Sequence, residues 1–157
     1  AAAMADAVGG PLSKQVNAQN LSNTLWGLVH FDWYDASVIN VLAGAFVQRI
    51  KSSDSQGVAN VLWALAKVSW YEEGAVGMLA GAAVERVRSS VTQNLSNNLW
   101  SLSTLGWYER GVYDELLHGI VKSPEQPVPQ QLSNAILSCA MACHTGAAVY
   151  ALAGKVS

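Results

Sequence analysis

From Leu21 onward the apolar residues of this chain recur at helical intervals. Leu21, Leu25, Leu28 and Val29 fall on one arc of a helical wheel, which predicts an amphipathic helix from Gln19 to about Phe31. After a turn at 32–35, the residues Val38, Ile39, Leu42, Ala43, Phe46 and Val47 trace a second helix to about Ile50, with Asp35 or Ser37 positioned to cap its start. The pattern then returns. Gln19-Asn-Leu-Ser-Asn-Thr-Leu-Trp26 is followed by Gln56-Gly-Val-Ala-Asn-Val-Leu-Trp63, Gln93-Asn-Leu-Ser-Asn-Asn-Leu-Trp100 and Gln130-Gln-Leu-Ser-Asn-Ala-Ile-Leu137, each 37 residues after the last. A second block keeps the same interval: Trp33-Tyr34-Asp35, Trp70-Tyr71-Glu72 and Trp107-Tyr108-Glu109, decaying to His144-Thr145-Gly146.

Self-similarity at a fixed interval of this length is the mark of a stacked array in which each unit buries its apolar face on its neighbours. The expected fold is therefore all-α: an α-solenoid of 37-residue helix-turn-helix repeats, with three complete units, a weaker fourth and a partial unit in Ala1 to Lys14 before a break at Gly9-Gly10-Pro11. The units run approximately 19–55, 56–92, 93–129 and 130–157. Ser55 and Thr92 are cap candidates for the first helices of the second and third units. The second helices are expected over about Glu73 to Val87, Arg110 to Val121 and Ala147 to Gly154, with Ser123-Pro-Glu-Gln-Pro-Val-Pro129 ending the third unit. Neither end carries the polar capping unit of a closed solenoid, so the chain is expected to be one array within a longer one.

Comparing the units column by column separates scaffold from display. The columns Leu21, Val58, Leu95, Leu132 and Leu25, Leu62, Leu99, Ile136 hardly vary, as packing requires. Three columns taken as opposite to them do vary: Asn20, Gly57, Asn94, Gln131; Thr24, Val61, Asn98, Ala135; and Gly27, Ala64, Ser101, Ser138. A constant scaffold that displays changing side chains on one helix per unit is what reading a single-stranded polymer requires. An amide offers both donor and acceptor to a base edge, so Asn94 with Asn98, one turn apart, is the best pair and Asn20 with Thr24 the next. Gly57 with Val61 offers no side-chain hydrogen bond and predicts a poorly discriminating unit. The same variation also follows from solvent exposure alone, and both readings stand.

The constant column Asn23, Asn60, Asn97, Asn134 is expected to be a structural ladder that satisfies backbone groups between units, and the Gln19 column is read likewise. Trp26, Trp63 and Trp100 are expected in the core between units, and Trp33-Tyr34 with its copies to fasten each first helix to its second.

Composition narrows the classes. The chain has 157 residues, 51% apolar and 13% charged, enough to bury a core and unlike a disordered chain. A formal charge of −2 gives no global basic field, so a nucleic acid would need a local stripe. Charge follows the repeat: Asp35, Glu72, Glu73 and Glu109 gather at second-helix starts, Arg49, Lys51, Arg86, Arg88 and Lys122 at their ends. That distribution complements helix dipoles and also supplies candidate phosphate contacts in those five basic residues.

The run from Leu132 to Gly154 carries no formal charge, yet the repeat register splits it into helix, turn and helix, so no membrane insertion is expected. Cys139 and Cys143 lie four apart in a helical pattern; buried thiols in a reduced compartment are the plainer expectation. With His144 they lack the further ligands a tetrahedral metal site needs. His30 and His118 have no evident partner. No phosphate-cradling loop, nucleophile elbow or informative carboxylate pair occurs. No enzymatic activity, cofactor or metal is expected.

The recurring Q-N-L-S-N-x-L-W-x-L block, the W-Y-[DE] turn and the second amphipathic helix resemble the octotricopeptide-type repeat proteins of green algal organelles. The resemblance covers essentially the whole chain, specifically at Gln19, Gln56 and Gln93 and more weakly at Gln130. It extends more distantly to the helical repeats of RAP-domain and FAST-kinase-like proteins and of the mitochondrial RNA-editing substrate-binding complex. The unit is one residue shorter than the family's usual one, and Trp-Tyr with an acid replaces the family's P-P-P-E-W segment. The resemblance implies binding of single-stranded organellar RNA in its processing, stability, splicing or translation, in chloroplast or mitochondrion, and protein partners in an RNA-maturation complex. No leader of the signal or arginine-rich kind opens the chain. The alternative class is a protein-binding scaffold that uses the same solenoid face.

Overall fold

A computed structural model describes residues 16–155; the partial unit expected in Ala1 to Lys14 and the terminal Val156 lie outside them. Among the described residues all regular structure is helical, in four helix pairs: α1 (Ala18–His30) with α2 (Ala36–Val47), α3 (Ser55–Lys67) with α4 (Glu73–Glu85), α5 (Thr92–Thr104) with α6 (Arg110–Lys122), and α7 (Pro129–Met141) with α8 (Ala147–Ala153). Each first helix packs on its own second helix and on the first helices before and after it, while second helices pack on second helices. This layered order is compatible with an α-solenoid. The uncharged run after Leu132 is split between α7 and α8, and among the described residues no helix is long and apolar enough to cross a membrane.

The conserved-looking columns form the core. Leu25, Leu62 and Leu99 are fully buried, as are Leu21, Val58 and Leu95, each contributing roughly 1.5–3 kcal/mol on removal from water. The second helices use smaller residues where they approach closely: Ala75, Ala80, Ala82 and Ala83 line α4, and a side chain at Gly119 of α6 would run into Val87 at 2.7 Å and Leu95 at 2.9 Å.

The W-Y-[DE] turn has a backbone cause. Each first helix ends two residues before a position in the left-handed region: Asp32 (φ 55°), Ser69 (φ 53°), Gly106 (φ 72°) and Cys143 (φ 51°). The next residue donates its N–H back across the turn, Trp33 to the Leu28 carbonyl, Trp70 to Leu65, Trp107 to Leu102, each at 2.9 Å, and His144 to Cys139 at 2.8 Å. This is the Schellman closure, in which the outgoing side chain packs on the helix it leaves. Trp70 and Trp107 do so against the core, whereas Trp33 is exposed. The acid two residues further on caps the second helix. Asp35 accepts from the N–H groups of Ser37 and Val38, and Glu72 from those of Gly74 and Ala75. The Ser37 hydroxyl, then the Val38 N–H, hold the Asp35 carboxyl below the ordinary carboxylate range. Glu109 makes no such bond.

Several sequence expectations are corrected. The first helices of the second and third pairs begin one residue early: Asp54 caps α3 through the Gly57 N–H at 2.8 Å, and Val91 precedes α5 with no side-chain cap, so Ser55 and Thr92 are helical rather than capping. The helices α2 and α4 stop at Val47 and Glu85, because short 3-10 turns, Ile50–Ser52 and Val87–Ser89, continue the apolar spacing past the true helix end. Cys143 is exposed at its left-handed turn; only Cys139 is buried, and burial raises its thiol to about 11. His144, in the place of the tryptophans, is buried with Nδ1 at 2.9 Å from the Tyr108 hydroxyl and Nε2 at 3.2 Å from Asp114 without the alignment of a hydrogen bond.

The four left-handed positions offer a paired test. A side chain there costs about 1–2 kcal/mol against glycine's larger freedom in the unfolded chain. Replacement Ser69→Gly should raise stability in urea by about 0.5 kcal/mol, and Gly106→Ala, where added volume meets nothing within 4 Å, should lower it by about 1 kcal/mol. Shifts of the same sign would refute the assignment.

Candidate nucleic-acid interface

The coverage of the first helices decides which side chains face outward. At about 100° per residue, the direction opposite the leucine columns falls between two strips: one through positions 20, 24 and 27, the other through 19, 23, 26 and 30. Neighbouring first helices cover the former. Asn98 is 1% exposed, and Gly57, Val61, Ser101, Ala135 and Ser138 are buried, against their expected role in contacting bases. Gly57 is glycine for want of room, since a Cβ would collide with Ser53 Oγ. The Ser101 and Ser138 hydroxyls turn back onto the carbonyls of Asn97 and Asn134. Thr24, Asn94 and Gln131 are half-buried and engaged: Thr24 with the Asn20 carbonyl, Asn94 with Ser55 at 3.4 Å, Gln131 with both Thr92 and the Val128 N–H. Of the ten expected base-contact residues, Asn20 alone is exposed.

The outward strip is the constant one. Gln19, Gln56, Gln93 and Gln130 are exposed; Asn23 is exposed, and Asn60, Asn97 and Asn134 half-buried. Among the described residues none of their side-chain amides hydrogen-bonds within the protein, so the expected structural ladder is not formed. Asn23, Gln56, Asn60, Gln93 and Asn97, with Asn94, Gly27 and Trp26, instead line a groove of about 490 Å³ across α1, α3 and α5. Of the tryptophans expected in the core, Trp63 packs against it, Trp100 is half-buried and Trp26 lines the groove. Trp26 is 38% exposed, 6.4 Å from Trp63 between ring centroids, and stacked on His30 at 4.5 Å and 13°. Lys67 Nζ lies over two indoles of successive pairs, 5.5 Å from Trp63 and 5.6 Å from Trp100. His30 thus has the ring partner that sequence comparison missed. Its column, eleven residues after each glutamine, was the available signal.

The five basic residues divide. Arg86 is structural: Nε bonds the Ser53 carbonyl at 2.9 Å, Nη2 that of Ile50 at 2.8 Å and Nη1 that of Ala82 at 2.8 Å, tying the end of α4 to the loop before α3. Arg49 bonds the Ala45 carbonyl at 3.0 Å. Lys51, Arg88 and Lys122 are exposed. The loops bearing Lys51 and Arg88 lead directly into the helices that carry Gln56 and Gln93. Amide edges and indole faces along the first helices can hydrogen-bond to and stack on unpaired nucleotides, while Arg88 and Lys122 line a separate cavity between second helices with Glu85, Glu115 and His118.

Compared with known proteins, the chain matches no family model and no curated protein.

Two substitutions follow. Arg86→Met leaves the Ser53 carbonyl without its partner and the Ile50 carbonyl with only the Ser53 N–H, and should lower stability by about 1–3 kcal/mol, while Arg88→Met, exposed, should change it by less than about 0.5 kcal/mol. Asn98 Oδ1 is buried without a hydrogen-bond partner where the preceding pair has Val61. Asn98→Val should therefore raise stability by about 1 kcal/mol in equilibrium unfolding; a loss of that size would mean that the amide is satisfied.

Proposed function

We propose that the chain is an α-solenoid of 37-residue units that binds single-stranded RNA along the outward face of its first helices, with the constant amides and indoles as the contact surface. The observation that carries this reading is the groove itself, in which the side-chain amides of Asn23, Gln56, Asn60, Gln93 and Asn97 have no partner within the protein, beside Trp26 and its neighbour Trp63. Side-chain amides have both a donor and an acceptor for a base edge, and a ring face accepts any base by stacking. Exposed Lys51, Arg88 and Lys122 are the remaining candidates for phosphate contact. The resemblance to octotricopeptide-type repeats extends the proposal to sequence-selective binding in organellar RNA processing, stability, splicing or translation, in chloroplast or mitochondrion.

A protein-binding scaffold is favoured at the fourth pair alone. There Leu137 replaces tryptophan and, with Met141, leaves two large apolar side chains each 53% exposed on the same face.

Titration of the chain with a randomised single-stranded RNA pool separates the two. Three cations on phosphates should give a slope of log affinity against log salt of about −2. Asn60→Ala/Asn97→Ala should weaken binding about tenfold with the helical signal unchanged, and Asn98→Val should leave it unchanged. Binding without salt dependence, or indifferent to the groove asparagines, would sink the RNA reading on this face.

A further inference from the structure

The outward strip contains one column that the constant amides and indoles do not explain. It is the last residue of each first helix: His30, Lys67, Thr104 and Met141. Across the thirteen positions of the four first helices, this column alone is exposed in every pair and different in every pair. Variation at buried positions has a packing cause, as with Val61, Asn98 and Ala135. Here the neighbours impose no such cause, and the chemistry changes completely, from imidazole through ammonium and hydroxyl to thioether.

Nor is the column free in space. Each residue lies one helical turn after the tryptophan position, on the same side. The indole organises it: His30 lies flat on Trp26, and the Lys67 ammonium is held over Trp63 and Trp100 together, so that it sits at the junction of two pairs. A base stacked on one of these indoles would bring its edge to the residue at the end of the helix. The constant strip would then supply affinity to any unpaired strand, and this column would supply the difference between units.

Resting on the RNA reading, we propose that His30, Lys67 and Thr104 are the specificity-determining residues of the three units that carry an indole, and that Lys67 makes its unit select guanine. An ammonium donates three hydrogen bonds and accepts none. Guanine presents two neighbouring acceptors, O6 and N7, whereas adenine pairs its N7 acceptor with a donor amine and cytosine's exocyclic amine is a donor. Thr104, both donor and acceptor, discriminates less, and Met141 offers no hydrogen bond.

Selection from a randomised RNA pool, followed by sequencing of the bound fraction, tests this with the full chain, Lys67→Met and Arg88→Met. The lysine is exposed, and far-ultraviolet circular dichroism checks that both variants remain folded. The wild-type chain should enrich guanine at one position about tenfold over adenine. Lys67→Met should lose that enrichment and leave the other positions unchanged, while Arg88→Met should reduce the salt slope and keep it. Bound RNA with the same guanine preference in wild type and Lys67→Met, or with none in either, would overturn the assignment and leave RNA binding standing. No RNA retained by the wild-type chain would overturn both.

Discussion

Everything on the outer face of this protein depends on how thoroughly its first helices are covered. A helix on the surface of an ordinary globular domain buries one stripe and leaves the opposite half to water. Here α3 and α5 each pack on their own second helix and on a first helix at either side. What stays open is an arc of about 60°, which at 100° per residue is one line of side chains: Gln56, Asn60, Trp63 and Lys67 on α3, Gln93, Asn97, Trp100 and Thr104 on α5. The small or short residues at Gly57, Val61 and Ala64 are the other half of the same arrangement, since they let adjacent helices approach. Among the described residues, one constraint thus fixes both the packing surface of α3 and α5 and the line of side chains that they leave open.

That line stays in register because every pair is joined by the same turn. The left-handed residue at Asp32, Ser69, Gly106 and Cys143 reverses the chain, the following N–H closes the spent end of the first helix, and an acid opens the second in the first two pairs. Three of the four positions carry a side chain where glycine would be easier, so the energy for the turn comes from elsewhere. The packing of Trp70 against the core after Ser69 and the burial of His144 after Cys143 are evident sources at two of the three, while Trp33 after Asp32 is exposed. Arg86 then fixes the opposite end of the layer by satisfying carbonyls of the preceding loop. Helix direction is thereby set at both ends of a pair, and the outward strips of successive first helices run side by side.

The helices and their order were legible because apolar spacing and the copied blocks agree, and Asp35 was legible as a cap, whereas Glu72 was legible only as one of the acids at second-helix starts, although it caps α4 in the same way. The helix ends at Val47 and Glu85 were not, because Ile50 and Val87 sit on 3-10 turns that keep the apolar rhythm. The site was misread for a more instructive reason. Variability in a column was equated with exposure, yet Val61, Asn98 and Ala135 vary inside the protein, where each merely has to fill a space of similar size. Constancy was equated with structure, yet the Asn23 column is constant and its amides stay unpaired. A wheel drawn for one helix cannot choose between two flanks when the direction opposite the core falls between them; only the neighbours decide, and they are absent from the wheel.

A constant polar line and a variable end residue have different physical consequences for a bound strand. On the proposed reading, identical amides, and the indoles of the first three pairs, would contribute alike from one unit to the next, so they would raise affinity for all sequences and leave the ratio between sequences unchanged. Selectivity is a difference of affinities, and it can come only from positions that differ. On the outward strip of the first helices, that condition leaves the residues one turn beyond the indoles. The division would also limit what either part could do alone: without the amides and rings a single ammonium or hydroxyl binds a base too weakly to matter in water, and without the end residues the groove would hold every strand equally. A stack of near-identical helix pairs could carry both because the turn needs neither set of side chains and the core takes from them chiefly Trp63.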